Sequence, residues 1–148
     1  MISPCYVANN FIEKALKENI SITPLKLQKL VYFLYRSYLV ATNNQLFTER
    51  FETWTYGPVV PSLYSEFNSY GDRTIKTFAK DSQENIFMVN ETGIFKKCID
   101  DVWENYKDYS GMELSRITHK PGTAWSKAKS NNCLYLNDED IKNEISVQ

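Results

Sequence analysis

The sequence predicts a mainly α-helical fold with small antiparallel β-hairpins, an α+β bundle packed around a central helix at about residues 24–42. Three observations lead there. Two start signals, Ser3-Pro4 and Thr23-Pro24, each precede a run of apolar residues at helical spacing. A third helical run follows Thr92. Between these runs, short stretches rich in aromatic and β-branched residues are broken by Pro, Gly and Asn, too short for helices and suited to hairpins.

In order along the chain, Val7, Phe11, Ile12, Ala15 and Leu16 recur as the apolar face of a first helix, and the pattern lapses over residues 19–22. After Thr23-Pro24, the positions Leu27, Leu30, Val31, Leu34, Tyr38 and Leu39 define the second. Tyr32, Phe33 and Tyr35 widen its face beyond one stripe, which predicts neighbours on more than one side. Asn43-Asn44 signals a turn, and residues 51–56 read as a short strand or hairpin. Pro58 and Pro61 argue against a central strand and mark residues 57–60 as an extended loop. A helix is expected over residues 62–70, stopped by Gly71. A second hairpin is expected from residues 75–78 and 86–89. Phe95, Cys98, Ile99, Val102, Trp103 and Tyr106 then form a face able to dock on the second helix. Ser110 and Glu113 match a capping box before a short helix at 112–118. Residues 123–129 suit one more helical turn around Trp125, and Asn137 caps a last helix with an acidic first turn.

At 148 residues, with 43% apolar and 24% charged residues, the chain can build a core without disulfides or metal and is expected to be one domain over residues 1–148. Seventeen basic against eighteen acidic residues give a net charge of -1, which argues against autonomous nucleic-acid binding. The longest strongly apolar stretch, residues 30–35, is far too short for a membrane span. Cys5, Cys98 and Cys133 are odd in number and widely spaced, and His119 is the single histidine, so neither a disulfide framework nor a zinc site is expected. These features suit a reduced, cytoplasmic protein without a cofactor.

Chemistry-bearing residues are sparse. His119 and Cys133 are the one nucleophile and base combination worth naming, but a small buried Cys133 and a locally hydrogen-bonded His119 explain them better. Asp100, Asp101 and the acidic run at 138–140 fit solvated helix faces or a helix start. The five glycines are isolated, so no phosphate loop exists. No enzymatic activity is expected. Ten Tyr, eight Phe and three Trp exceed what a core of this size requires, and such residues anchor protein interfaces. Lys26, Lys29 and Arg36 read as the solvated face of the second helix.

Several stretches together resemble the Panacea domain, the SocA-like antitoxin family that also includes phage-associated GepA-type proteins. They are residues 7–11 (VANNF), 22–33 (ITPLKLQKLVYF), 46–47 (LF), 54–64 (WTYGPVVPSLY) and 114–119 (LSRITH) with Trp125. The resemblance implies a mainly helical antitoxin of a type II toxin–antitoxin system, which binds and neutralises a cognate protein toxin encoded beside it. It also admits a phage or mobile-element accessory protein that binds a host defence factor, or an adaptor that delivers its client to a protease. Positions matching the family pattern that are polar-tipped or aromatic near loop ends become candidate partner contacts: Lys26, Lys29, Trp54, Tyr56, Thr118, His119 and Trp125. Replacing Lys26 and Lys29 with Glu is expected to weaken partner binding with little change in stability. With the domain taking up the whole chain, no DNA-binding segment is expected beside it.

Overall fold

The computed structural model describes residues 2–144. Among them the chain forms α1 (Pro4–Glu18), α2 (Pro24–Thr42), β1 (Glu52–Trp54), β2 (Gly57–Val59), α3 (Pro61–Phe67), a 3-10 turn (Asn68–Tyr70), α4 (Gly93–Tyr106), α5 (Gly111–His119), α6 (Ala124–Ser130) and α7 (Asp138–Asn143). The expected class, mainly α around a central helix, is the one observed.

Local chemistry sets the helix ends. The Ser3 hydroxyl accepts the Cys5 N–H and the Thr23 hydroxyl accepts the Lys26 N–H, with proline in the first turn of both α1 and α2. Both helices stop at an asparagine in left-handed conformation, Asn19 at φ 55° and Asn43 at φ 59°, a geometry its short polar side chain tolerates. At α5 the Ser110 hydroxyl and the Glu113 carboxylate complete a reciprocal capping box.

Helix α2 is the hub. It packs on α1, α3, α4, α5, α7 and β2, and its residues 26–35 are all buried. The expected docking of α4 on α2 is present, with Phe33 stacked on Tyr106 at 4.5 Å between ring centroids. The wide aromatic face of α2 also meets Phe47 and Phe51: Tyr32 and Tyr35 both place their rings edge-on to Phe51.

Glu144 ties the end of the described chain to this hub. Its carboxylate accepts the Tyr32 hydroxyl at 2.6 Å and the Ala124 N–H at 3.0 Å, and Arg36 donates to its main-chain carbonyl at 2.8 Å. Burial pushes the Glu144 carboxyl above its ordinary range, while those two donors pull the other way.

Two sequence expectations need correction. Residues 57–60 are not simply an extended loop, because Gly57–Val59 is a strand paired with β1 in the register Glu52↔Val59, Thr53↔Pro58 and Trp54↔Gly57. Tyr135 bridges the far side of β1 at Glu52, which leaves β2 as the edge strand, so Pro58, lacking an N–H, is tolerated there. The second hairpin does not form: residues 75–78 and 86–89 are irregular.

Two buried asparagines do the pairing instead. Asn9 donates to the Ala79 and Phe87 carbonyls and accepts the Ala79 N–H. Asn10 donates to the Val89 carbonyl and accepts the Val89 N–H. Each side chain acts as a peptide group at the edge of the segment, so Ala79 and the run 86–89 bond to α1, while Ile75 bonds back to the Ile22 carbonyl.

Asn9→Ala strips partners from three backbone groups, of which the two on Ala79 are buried. It is expected to cost about 2–4 kcal/mol in urea unfolding, with faster amide exchange concentrated in residues 78–89. Stability within about 0.5 kcal/mol of the parent would show that the asparagine ladder is dispensable.

Candidate functional site

The tip of the β1–β2 hairpin gathers the residues that the sequence singled out. Its main-chain carbonyls are received one after another by side chains from the helices beneath. Trp125 Nε1 donates to the Trp54 carbonyl at 2.8 Å, and His119 Nε2 stands 2.8 Å from the Thr55 carbonyl. Ser115 Oγ donates to the Tyr56 carbonyl at 2.7 Å, and Lys29 Nζ to the Pro58 carbonyl at 3.0 Å. Gln28 then holds both sides of the Val60 peptide, donating to its carbonyl at 3.1 Å and accepting its N–H at 3.0 Å. Helices α2, α5 and α6 thereby clamp a hairpin whose own sheet has only two strands.

Sterics under the tip are equally specific. Gly57 sits at φ 114°, and a Cβ there would lie 2.6 Å from Thr118 Oγ1 and 2.7 Å from Lys29 Cε. Only glycine has both the conformational freedom and the missing atom. Thr118 is held in turn by donating to the Ser115 carbonyl at 2.6 Å.

Lys29 is fully buried, and the Pro58 carbonyl is the hydrogen-bond partner its amine finds. Burial pushes its pKa down to about 7, because a low-dielectric surrounding disfavours the ammonium. Lys26 is also buried, its amine donating to the Lys107 and Ser21 carbonyls, which ties the end of α4 to the start of α2. Desolvation lowers its pKa as well.

The expected solvated face of Lys26, Lys29 and Arg36 is therefore absent: all three reach main-chain carbonyls of neighbouring elements. The reason is the hub position of α2, which leaves its first half no open side. A glutamate at position 29 would set a carboxylate against the Pro58 carbonyl, acceptor against acceptor, so a stability-neutral Lys29→Glu is ruled out on the same geometry.

The seven candidate contacts thus separate by depth. Lys26, Lys29, Thr118 and Trp125 lie inside, the last three beneath or beside the hairpin and Lys26 apart from it, against the end of α4. Trp54 and His119 are half-buried, and Tyr56 is 56% exposed at the tip. Trp54 stands edge-on to Tyr64 at 4.8 Å and donates its indole N–H to Glu52. The His119 ring lies 3.9 Å from that of Trp125, and its Nδ1 stands 2.6 Å from the Ser115 carbonyl. Both imidazole nitrogens therefore face carbonyls rather than Cys133. Cys133 itself is exposed, contrary to the expected buried thiol, because it follows α6 in a turn where its N–H bonds back to the Ala128 carbonyl.

Two depressions flank the tip. One, of about 650 Å³, runs between the hairpin, α2 and α3, with Leu25, Trp54, Val59, Leu63, Tyr64 and Phe67 among its walls and Lys129 on its rim. The other, of about 450 Å³, is bordered by Tyr56, Met112, Arg116, His119 and Lys120. Thr55 and Tyr56 belong to both. Tyr64, Met112, Arg116 and Lys129 were not among the sequence candidates. Tyr64 and Arg116 lie within the quoted stretches and had a signal there, whereas nothing local marks Met112 or Lys129.

Geometry alone defines a mainly helical domain that clamps and presents one short hairpin. The chain belongs to the Antitoxin SocA-like, Panacea domain family, whose model matches residues 27–126. That span contains every side chain of the clamp. The chain is also similar to Antitoxin SocA of Caulobacter vibrioides (strain NA1000 / CB15N), at 30% identity over 125 residues, covering 80% of this chain and 66% of the relative. It thus spans just under two thirds of that protein's length. No solved structure matches the chain. Among the described residues no helix is long and apolar enough to cross a membrane.

Two substitutions test the clamp. Gly57→Ala combines an unfavourable φ with overlap on Thr118 and Lys29, and is expected to destabilise by about 2–5 kcal/mol in urea unfolding. Lys29 gives a pH signature. Its folded pKa lies below the ordinary 10.5, so the unfolded chain binds the extra proton between about pH 7 and 10.5. Its contribution to stability is complete above that window and falls with pH, by at most about 1.4 kcal/mol per unit. Lys29→Met removes this slope, so unfolding midpoints should move in favour of the parent from about pH 7 to pH 9; parallel curves would contradict a buried, desolvated amine.

Proposed function

We propose that this protein is an antitoxin that neutralises a cognate protein toxin by direct, stoichiometric binding through its hairpin face, without a catalytic step. Membership of the antitoxin family, with 30% identity to Antitoxin SocA, is the observation that carries the reading. The geometry supports it in physical terms. Partner surfaces draw their energy from a few aromatic and Arg anchors held in place beforehand, and the clamped hairpin with the adjoining α3 presents Trp54, Tyr56 and Tyr64 in that way. Its half-buried imidazole is committed to main-chain carbonyls, a structural use of the one histidine.

Co-expression with the product of the adjacent open reading frame tests the proposal. The expected result is growth arrest by the neighbour alone, rescue by this chain, and co-purification of the two as a stable complex. Rescue that needs a host protease and leaves no complex would overturn direct neutralisation, and a harmless neighbour would overturn the antitoxin role.

A further inference from the structure

The two depressions beside the hairpin tip are one surface with two chemistries. The deeper, of about 650 Å³, falls within the roughly 300–1,000 Å³ range of pockets that bury a ligand-sized group, and its walls are chiefly apolar and aromatic. The shallower one carries Arg116, Lys120 and His119. Lys129 stands on the opposite rim. No aspartate or glutamate lines either depression, although the chain as a whole has one more acid than base.

Glu113, one turn before Arg116, is folded into the Ser110 capping box, and Glu52 receives the Trp54 indole. Arg116, Lys120 and Lys129 form no ion pair among the described residues. By contrast, α4 sets Lys96 and Lys97 against Asp100 and Asp101. The hairpin face therefore sets three basic side chains outside any of these ion pairs beside an apolar groove.

We infer that this face binds an acidic segment of a protein partner, a stretch that seats a bulky apolar side chain in the groove walled by Leu63, Tyr64 and Phe67 and lays its carboxylates across Arg116, Lys120 and Lys129. The inference deepens the antitoxin reading by naming the chemistry of the partner's contact. Charge complementarity selects acid over base, and the apolar groove selects a side-chain anchor over a phosphate backbone, which would need a continuous basic track. Tyr56 and Tyr64, 56% and 43% exposed, supply the amphipathic contact area between the two zones.

The test needs no toxin. A random-peptide library displayed on phage is panned on the immobilised full-length protein, and enriched peptides are synthesised and titrated. The expected peptides pair Leu, Phe, Trp or Met with Asp or Glu, and bind more weakly as salt is added. Tyr64→Ser, and the triple variant Arg116→Glu, Lys120→Glu, Lys129→Glu, should each weaken binding at least about tenfold. Lys97→Glu, a charge reversal on α4, should leave it unchanged. As a check that needs no variant to fold, a peptide with Asn and Gln in place of Asp and Glu should lose affinity for the parent protein. Enrichment of basic peptides, binding indifferent to these substitutions, or no enrichment over bare support would overturn the inference. So would tight binding of a single-stranded oligonucleotide that the triple variant abolishes. Failure of growth rescue in the co-expression experiment leaves these outcomes readable, so the two proposals fail separately.

Discussion

The amine of Lys29 reaches the Pro58 carbonyl from inside the protein, and the hairpin depends on that contact. A lysine with no exposed surface and a main-chain carbonyl as its hydrogen-bond partner is a costly residue, because burial disfavours the charged form and no carboxylate offsets it. What the structure gains is position. The four-carbon stem fills the space beneath Gly57, and the nitrogen meets a carbonyl that a two-stranded sheet cannot otherwise satisfy. A methionine can match the volume but leaves the Pro58 carbonyl without its donor.

From this constraint the arrangement of α2 follows. A helix that sends Lys26 to the end of α4, and Gln28 and Lys29 to the Pro58–Val60 segment, must be flanked by both, and residues 26–35 are buried accordingly. Polar side chains here do what backbone ladders do in larger sheets. Asn9 and Asn10 repeat the device on α1, holding residues 79–89 with side-chain amides. The protein therefore keeps short, irregular segments ordered without extending a sheet, and each such segment depends on a few buried amides rather than on many weak contacts.

Helices were legible in the sequence because their signals are local: Ser3-Pro4, Thr23-Pro24, the capping box at Ser110 and the apolar spacing of α4 all need only neighbouring residues. The second hairpin was not, since β-rich composition at 75–78 and 86–89 cannot reveal that asparagines seventy residues earlier will satisfy the backbone instead. Pro58 likewise reads as a strand breaker until β2 is known to be an edge strand. For the seven candidate contacts, depth and hydrogen-bond partners were not legible along the chain. Lysine spacing on α2 implied a solvated face, whereas depth depends on what wraps the helix, and that is fixed by tertiary contacts. Exposure of Met112 and Lys129 beside the hairpin is similarly invisible along the chain.

Rigidity and recognition meet at the hairpin tip. Presenting aromatic rings on a loop normally costs ordering entropy on binding, at about 0.5–1.5 kcal/mol for each immobilised side chain. Here the main-chain carbonyls of Trp54, Thr55 and Tyr56 are already engaged by Trp125, His119 and Ser115, so the backbone under those rings has little freedom left to lose. Buried supports and exposed contacts thus form one unit in which the interior residues set the geometry and the surface residues carry the chemistry. Surface side chains such as Tyr64, Met112 and Lys129 stand outside the clamp, because none of them holds a hairpin carbonyl, so the stability of the hairpin rests on the interior residues alone.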